Sequence, residues 1–383
     1  GLLQHGGNGK LEGTVTVAGQ EVSRTPLWEL AETVGSVFQN PKSQFFNLDT
    51  TSEVLFGLES QGASHQKMEQ ALCSAAHVCG VGSLLDRNIF ALSGGEKQRI
   101  ACASAYAMGP EIFVLDEPSS NLDPEGICQL REVLKQLKAA GKTVLVAEHR
   151  LWYAADLADP VFSLREGRLE RMYPGAEFLA LPDEKRRAMG LRSLTEVPLP
   201  EPKLTPDETE KGLLVRGLRA SYDRMAVWDQ VSFTAPRGVI TAITGHNGAG
   251  KTTLARCLCG LMKEKAGTIL WDGKMLNRKS RRQKSFLIMQ DVNLQLFGES
   301  TLAEAQLGNE ATEAETMAAL ERMDLARYAQ AHPLALSGGQ KQRLAIVDGC
   351  LSGKELVIFD EPTSGLDYAH MLEVSRLLQE LAE

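Results

Sequence analysis

Short apolar runs punctuate the chain at strand length. Gly238 to Thr244 is β-branched and predicts a buried strand. Leu356 to Phe359, Val114 with Leu115, and Thr143 to Ala147 read the same way. Helical spacing follows elsewhere: a stretch through Leu261 after the first of these runs, then Gln98 to Met108 and Gln342 to Cys350. No apolar run approaches the roughly 18–20 residues that a membrane span needs. Between about residues 173 and 211 the pattern weakens, and Pro174, Pro182, Pro198, Pro200, Pro202 and Pro206 resist helix and central strand. That stretch predicts a linker with one short helix near Pro182 to Gly190.

The pattern repeats. Leu92-Ser93-Gly94-Gly95-Glu96-Lys97-Gln98-Arg99 returns 244 residues later as Leu336-Ser337-Gly338-Gly339-Gln340-Lys341-Gln342-Arg343. The Asp116-Glu117-Pro118 and Asp360-Glu361-Pro362 segments share that offset, while Gln39 and Gln290 are 251 apart. The two copies therefore differ by seven residues between these landmarks. A duplicated domain follows, with expected boundaries 1–172, a linker 173–211, and 212–383.

Composition narrows the class. The 383 residues suffice for two domains, and 43% hydrophobic with 23% charged suits a globular chain. A net charge of −8 argues against a nucleic-acid partner, whose phosphates need a basic surface. Residues 1–20 lack the basic-then-apolar pattern of a secretory signal. The seven cysteines form no C-x-x-C pair and read as buried free thiols rather than a metal or redox site.

The predicted strand at 238–244 opens into Gly245-His246-Asn247-Gly248-Ala249-Gly250-Lys251-Thr252-Thr253, the G-x-x-x-x-G-K-T spacing between strand and helix. Glycines there let backbone N–H groups surround a phosphate, and the next helix offers its positive end. Lys251 adds a point charge, and the Thr252 hydroxyl can ligate Mg²⁺. Asp360 and Glu361, like Asp116 and Glu117, end apolar strands. They read either as caps of the next segment or as a metal-holding acid followed by a proton acceptor for water. Each Ser-Gly-Gly, at 93–95 and 337–339, starts a helical stretch 23 residues before an acid pair. A serine there is an ordinary N-cap, and the glycines also expose N–H groups to an anion.

These motifs together resemble the ABC ATPase family, whose signature is L-S-G-G-x. The resemblance implies an α/β fold: two P-loop NTPase domains in tandem, each a RecA-like core with a helical subdomain. It implies ATP and Mg²⁺ as ligands and head-to-tail pairing, with Ser93, Gly94 and Gly95 closing the site of Lys251, and Ser337, Gly338 and Gly339 closing the other. Gln39 and Gln290 match the Q-loop, which ligates Mg²⁺ and senses a membrane partner. His149 matches the switch histidine, and Tyr222 the aromatic that stacks on adenine.

By spacing, the first phosphate loop would precede Gly1, and the counterpart of His149, 32 residues after Glu117, would fall beyond Glu383. The sequence thus reads as a truncated piece, expected to hydrolyse ATP poorly beside its parent. Phe38 to Phe46 resembles the Q-N-P-x-x-Q-x-F stretch of energy-coupling-factor (ECF) importer ATPases, and Met289 to Phe297 is a looser version. That implies a transmembrane coupling subunit, a membrane substrate-binding subunit, residues 40–91 and 291–335 as the partner-facing helical subdomains, and a peripheral place on the cytoplasmic face of the membrane. Two rivals stay open: a tandem ABC protein acting on ribosomes, and a non-hydrolytic regulatory ATP-binding module.

Overall fold

The computed structural model describes residues 12–120, 122–165, 167–195, 211–222, 225–363 and 366–382. The chain divides into two compact units, Gly1–Glu196 and Val197–Glu383.

The first unit is built on three parallel strands: β3 (Val34–Val37), β4 (Ile112–Asp116) and β5 (Thr143–Ala147), in the order β3-β4-β5. A small hairpin precedes them, β1 (Thr16–Val17) with β2 (Gln20–Glu21), then helix α1 (Leu27–Thr33). Between β3 and β4 lie α2 (Thr50–Ser60), α3 (His65–Val78) and α4 (Gly94–Ala107). Each has a side-chain N-cap, from Asp49, Ser64 and Ser93, which satisfies backbone donors that would otherwise lack partners. Helix α4 is buried along Ile100, Ala101, Cys102 and Ala103, and the small side chains of the last three allow close packing. Helix α5 (Pro124–Ala139) has Asp123 as N-cap, proline in its first turn, and buries Ile127, Leu130, Val133, Leu134 and Leu137 on one stripe.

A hairpin of β6 (Pro160–Arg165) and β7 (Arg168–Pro174) follows, then α6 (Gly175–Leu179) and α7 (Asp183–Ala188). The expected short helix is α7. The rest of the described stretch is not the open linker that its prolines suggest. Tyr173, Phe178 and Leu181 form a cluster with Ala155, packed by Val161, Met189, Leu191 and Leu194. Pro174 and Pro182 stand at helix N-caps, where a missing N–H costs nothing. The remainder of the expected linker, 196–210, lies outside the described residues.

The second unit opens with an antiparallel sheet in the order β11-β10-β8-β9. Its strands are β8 (Gly212–Tyr222), β9 (Met225–Pro236), β10 (Ala266–Trp271) and β11 (Lys274–Met275). Helix α8 (Lys251–Leu258) buries Leu254, Cys257 and Leu258 against Leu213, Val215, Leu218, Ile269 and Trp271. Helix α9 (Arg278–Lys284) leads into β12 (Ser285–Ile288), which pairs in parallel with β13 (Leu356–Phe359). Between those strands are α10 (Thr301–Ala305), α11 (Glu313–Arg322) and α12 (Gly338–Leu351); α13 (Tyr368–Ala382) follows β13. The shorter α10 and α11, against α2 and α3, put the length difference between the copies in the second unit's helical part.

One expected strand is absent. Gly238 to Thr244 carries no strand pairing, and Ile240 and Ile243 are exposed. In the first unit β4 is flanked on both sides, by β3 and β5. Among the described residues, β13 has only β12 beside it. An apolar run becomes a strand only where a neighbour takes its backbone hydrogen bonds.

Candidate functional site

In the second unit the loop 245–250 wraps the start of α8. Gly250 is the N-cap, at φ +93°, and a Cβ there would sit 2.6 Å from Trp228 Cδ1 and 2.6 Å from Val227 Cγ1. Only glycine serves, because both the left-handed backbone and the indole forbid a side chain. Trp228, which motif reading had passed over, supports the loop, with Nε1 donating to the Gly250 carbonyl at 3.4 Å. Lys251 Nζ donates to the carbonyls of Gly245 at 2.7 Å and His246 at 3.0 Å. A cation resting on neutral loop carbonyls is free to exchange them for an anion of higher charge.

Thr252 Oγ1 donates to Asp360 Oδ2 at 2.6 Å, although 108 residues separate them. Asp360 is buried at the end of β13, and its N–H donates to the Ile288 carbonyl of β12 at 3.0 Å. Parallel register sets Ile288 opposite Phe359, so Gln290 and Glu361 emerge side by side, with Gln290 Nε2 donating to Glu361 Oε2 at 2.9 Å. Hydroxyl, carboxylate and amide oxygens are the donor set that Mg²⁺ prefers, and the lysine and glycine N–H groups beside them suit its phosphate partner. The residues present therefore fit both ATP and Mg²⁺.

The first unit repeats the acid arrangement. Gln39 Nε2 donates to Glu117 Oε2 at 2.7 Å, and His149 Nδ1 lies 3.6 Å from Glu117 Oε1. The Glu117 N–H donates to Ala147, continuing the β4–β5 ladder, which brings Asp116, Glu117 and His149 to one sheet end. Glu117 and Glu361 both hold left-handed backbone, at φ 40° and 54°. Such conformations cost energy for any residue with a Cβ and collect at functional sites. Burial pushes the Glu117 carboxyl up to about 7; Glu148 and Asp116 add to the rise, and the Gln39 hydrogen bond opposes it. Glu148 braces the histidine loop, accepting from Ser119 Oγ at 2.9 Å and the Arg150 N–H at 2.9 Å. Its place one residue before His149 was the only sequence signal for it.

Ser93 and Ser337 each start a helix with a capping box: their oxygens accept from the Glu96 and Gln340 N–H groups, whose side chains bond back. Asp367, in the loop after the second acid pair, accepts from the side chain and N–H of His370, bonds that lower its carboxyl to about 2 against its burial; His370 also meets Arg343. The two ends of the Q-N-P-x-x-Q stretch are joined: Gln44 Oε1 accepts from the Phe38 N–H at 3.2 Å, as Gln295 Oε1 does from Met289 at 2.7 Å. Tyr222 ends strand β8, and its side chain lies outside the described residues. The thiols are not all buried: Cys79, Cys102, Cys257 and Cys259 are, while Cys73 and Cys128 are exposed. Among the described residues no helix is long and apolar enough to cross a membrane.

The ABC transporter family model matches residues 5–120 and again 228–364. A protein of Treponema denticola, named for the ABC transporter ATP-binding family, is 43% identical over 390 residues, covering 100% of this chain and 80% of that protein. A protein of Methanosarcina acetivorans with the same name is 32% identical over 428 residues, covering 97% of this chain and 70% of its own length. Among solved structures, the archaeal ribosome recycling factor aABCE1, in complex with the ribosomal stalk protein aP1, aligns with a TM-score of 0.58 and 25% identity over 91% of this chain and 66% of that one. A phosphate loop with a duplicated acid pair and signature helix, together with these likenesses, means that the chain belongs to the ABC transporter ATP-binding family, with two of its ATPase domains in tandem.

Proposed function

We propose that the chain is the ATP-hydrolysing subunit of an ABC importer of the ECF type, serving vitamin or metal-ion uptake. The carrying observation is the convergence of Thr252 with Asp360, and of Gln290 with Glu361, on the phosphate loop of Lys251. In this reading Lys251 and the N–H groups of Gly245, Asn247, Gly248, Ala249, Gly250 and Thr253 bind the phosphates. Tyr222 stacks on the base. Thr252, Asp360 and Gln290 hold Mg²⁺, as do Asp116 and Gln39 in the other site; the ion supplies charge neutralisation across the phosphates. Glu361 and Glu117 take a proton from the attacking water, each oriented by its glutamine, and His149 faces the same carboxylate. Ser93, Gly94 and Gly95 close the Lys251 site head to tail, and Ser337, Gly338 and Gly339 the other. Nucleotide binding joins the halves, and hydrolysis releases them, a two-state switch.

Support for the importer comes from the Q-N-P-x-x-Q-x-F stretch and from the aromatic groups that follow it. Phe46 and Phe297, at equivalent positions, are each 75% exposed, and Phe46 stacks on Phe56 with ring centroids 5.1 Å apart. Exposed aromatic pairs beside a switch loop suit a protein partner, here a transmembrane coupling subunit with a separate substrate-binding subunit. The second reading, action on ribosomes, is favoured by the likeness to aABCE1.

Purification of the intact protein from its native membranes separates them. A hydrophobic subunit should co-purify, and Glu361→Gln should prolong the ATP-bound dimer. Sedimentation with ribosomes and no membrane subunit would overturn the importer.

A further inference from the structure

The two copies differ in charge where they are otherwise alike. Residues 263–284 hold eight cations against Glu264 and Asp272, in a chain whose net charge is −8. The equivalent helix of the first unit, α1, holds two acids and no cation. Part of the excess is internally used: Arg281 pairs with Glu264 and Lys284 with Glu355. Lys263, Lys265, Lys274, Lys279 and Arg282 are exposed and pair with no carboxylate among the described residues. Arg278, Lys279 and Arg282 share a helix face by their three- and four-residue spacing. Arg278 donates to the Gly260 and Leu261 carbonyls, which ties α9 to the loop carrying Lys263. Strand β11, with Lys274, ends just before the Asn277 cap of α9.

Two apolar side chains stand within this field, Met275 at 70% exposure and Leu261 at 46%. The one aromatic residue of 263–284, Trp271, is buried beneath Arg237. Nucleic acid rewards exposed aromatic faces among the cations, whereas a lipid surface rewards cations ringed around exposed aliphatic groups. The first unit's α1, at the same place in its repeat, exposes Leu27 and Trp28, side chains that suit the interfacial zone of a bilayer.

We propose that the face formed by α9, β11 and the loop after α8 binds anionic lipid headgroups directly. Cations near such a surface each add to the attraction, and Met275 and Leu261 insert between headgroups. The contact goes beyond the transport reading, since it needs neither nucleotide nor a membrane subunit.

The test is flotation of the purified chain with vesicles of phosphatidylcholine alone, or with about a quarter phosphatidylglycerol. Binding is expected only to the anionic vesicles, and should fall with salt. Each cation removed should weaken it roughly fivefold, so Lys274→Gln with Lys279→Gln and Arg282→Gln should lose roughly a hundredfold. Met275→Ser should weaken binding in high salt, where the apolar part persists. An unchanged melting temperature in each variant keeps the comparison clean. Equal binding to both vesicles, or full binding by the triple variant, would overturn the proposal. So would binding of a single-stranded RNA oligonucleotide at this face with no binding to vesicles. None of these outcomes bears on whether a transmembrane subunit co-purifies.

Discussion

Glu53 offers the sharpest test of how the helical part is held to the Q-loop. Its side chain is 2% exposed, and its Oε2 accepts from the Phe46 N–H at 3.0 Å, the Asn47 N–H at 2.8 Å and Asn47 Nδ2 at 3.3 Å. Glu304 repeats this in the second unit, accepting from Phe297 and Gly298. One carboxylate in the first turn of α2 therefore pins the loop that presents Phe46. Hydrogen bonds to a charged group contribute about 1.5–3 kcal/mol each, so losing both backbone bonds costs about 3–6 kcal/mol before relaxation. Water can reach the loop from its exposed side, which brings Glu53→Ala to about 3 kcal/mol. Glu53→Gln keeps an acceptor and the packing but not the charge, and should cost about 1–2 kcal/mol. Urea unfolding gives the total, and hydrogen exchange at the Phe46 and Asn47 amides locates it. Equal costs for the two variants, or wild-type protection of both amides in Glu53→Ala, would refute the reasoning.

Gly250→Ala must displace Trp228 and strain the backbone, and should cost about 2–4 kcal/mol in thermal melts while abolishing nucleotide binding. Lys251→Ala, by contrast, should leave stability within about 0.5 kcal/mol and lower nucleotide affinity at least tenfold by calorimetry. Asp348 is buried in α12 with Oδ1 unpaired, facing Glu304, and burial pushes its carboxyl well above the ordinary 3.8. Its proton is held more tightly in the folded than in the unfolded chain, so its contribution falls as pH rises above that ordinary value. Asp348→Ser, the residue at the matching position Ser104, should add about 1–3 kcal/mol at neutral pH and flatten that slope; an unchanged pH profile of melting would contradict it. An aromatic disulfide reagent should label Cys73 and Cys128 quickly, while Cys102, buried and pushed up to about 12, reacts only after denaturation.

Much of this was legible in the sequence because it depends on local spacing. Ser93 and Ser337 had to start helices, with Glu96 and Gln340 three residues on to complete the boxes. Leu356 to Phe359 is short and apolar, reads as a strand, and pairs with β12. The acid pairs were readable as strand ends, yet their partners were not: Gln39 and Glu117 are 78 residues apart, and only the parallel register of β3 on β4 brings them together. Gly238 to Thr244 misled because composition predicts a strand without knowing whether a neighbour is there. Residues 173–194 misled in the opposite direction, since proline density hides that Tyr173, Phe178 and Leu181 have somewhere to pack. Trp228 left no motif, because its role is to fill the space above one glycine.

The signature serines hold one further implication. In accepting from the third residue of its own helix, each spends an oxygen lone pair and keeps its hydroxyl hydrogen. The rotor is therefore biased outward, ready to give rather than to receive. Any group that completes that bond from outside needs spare electron pairs, which favours oxyanions over ammonium visitors without a positive charge on the serine's side.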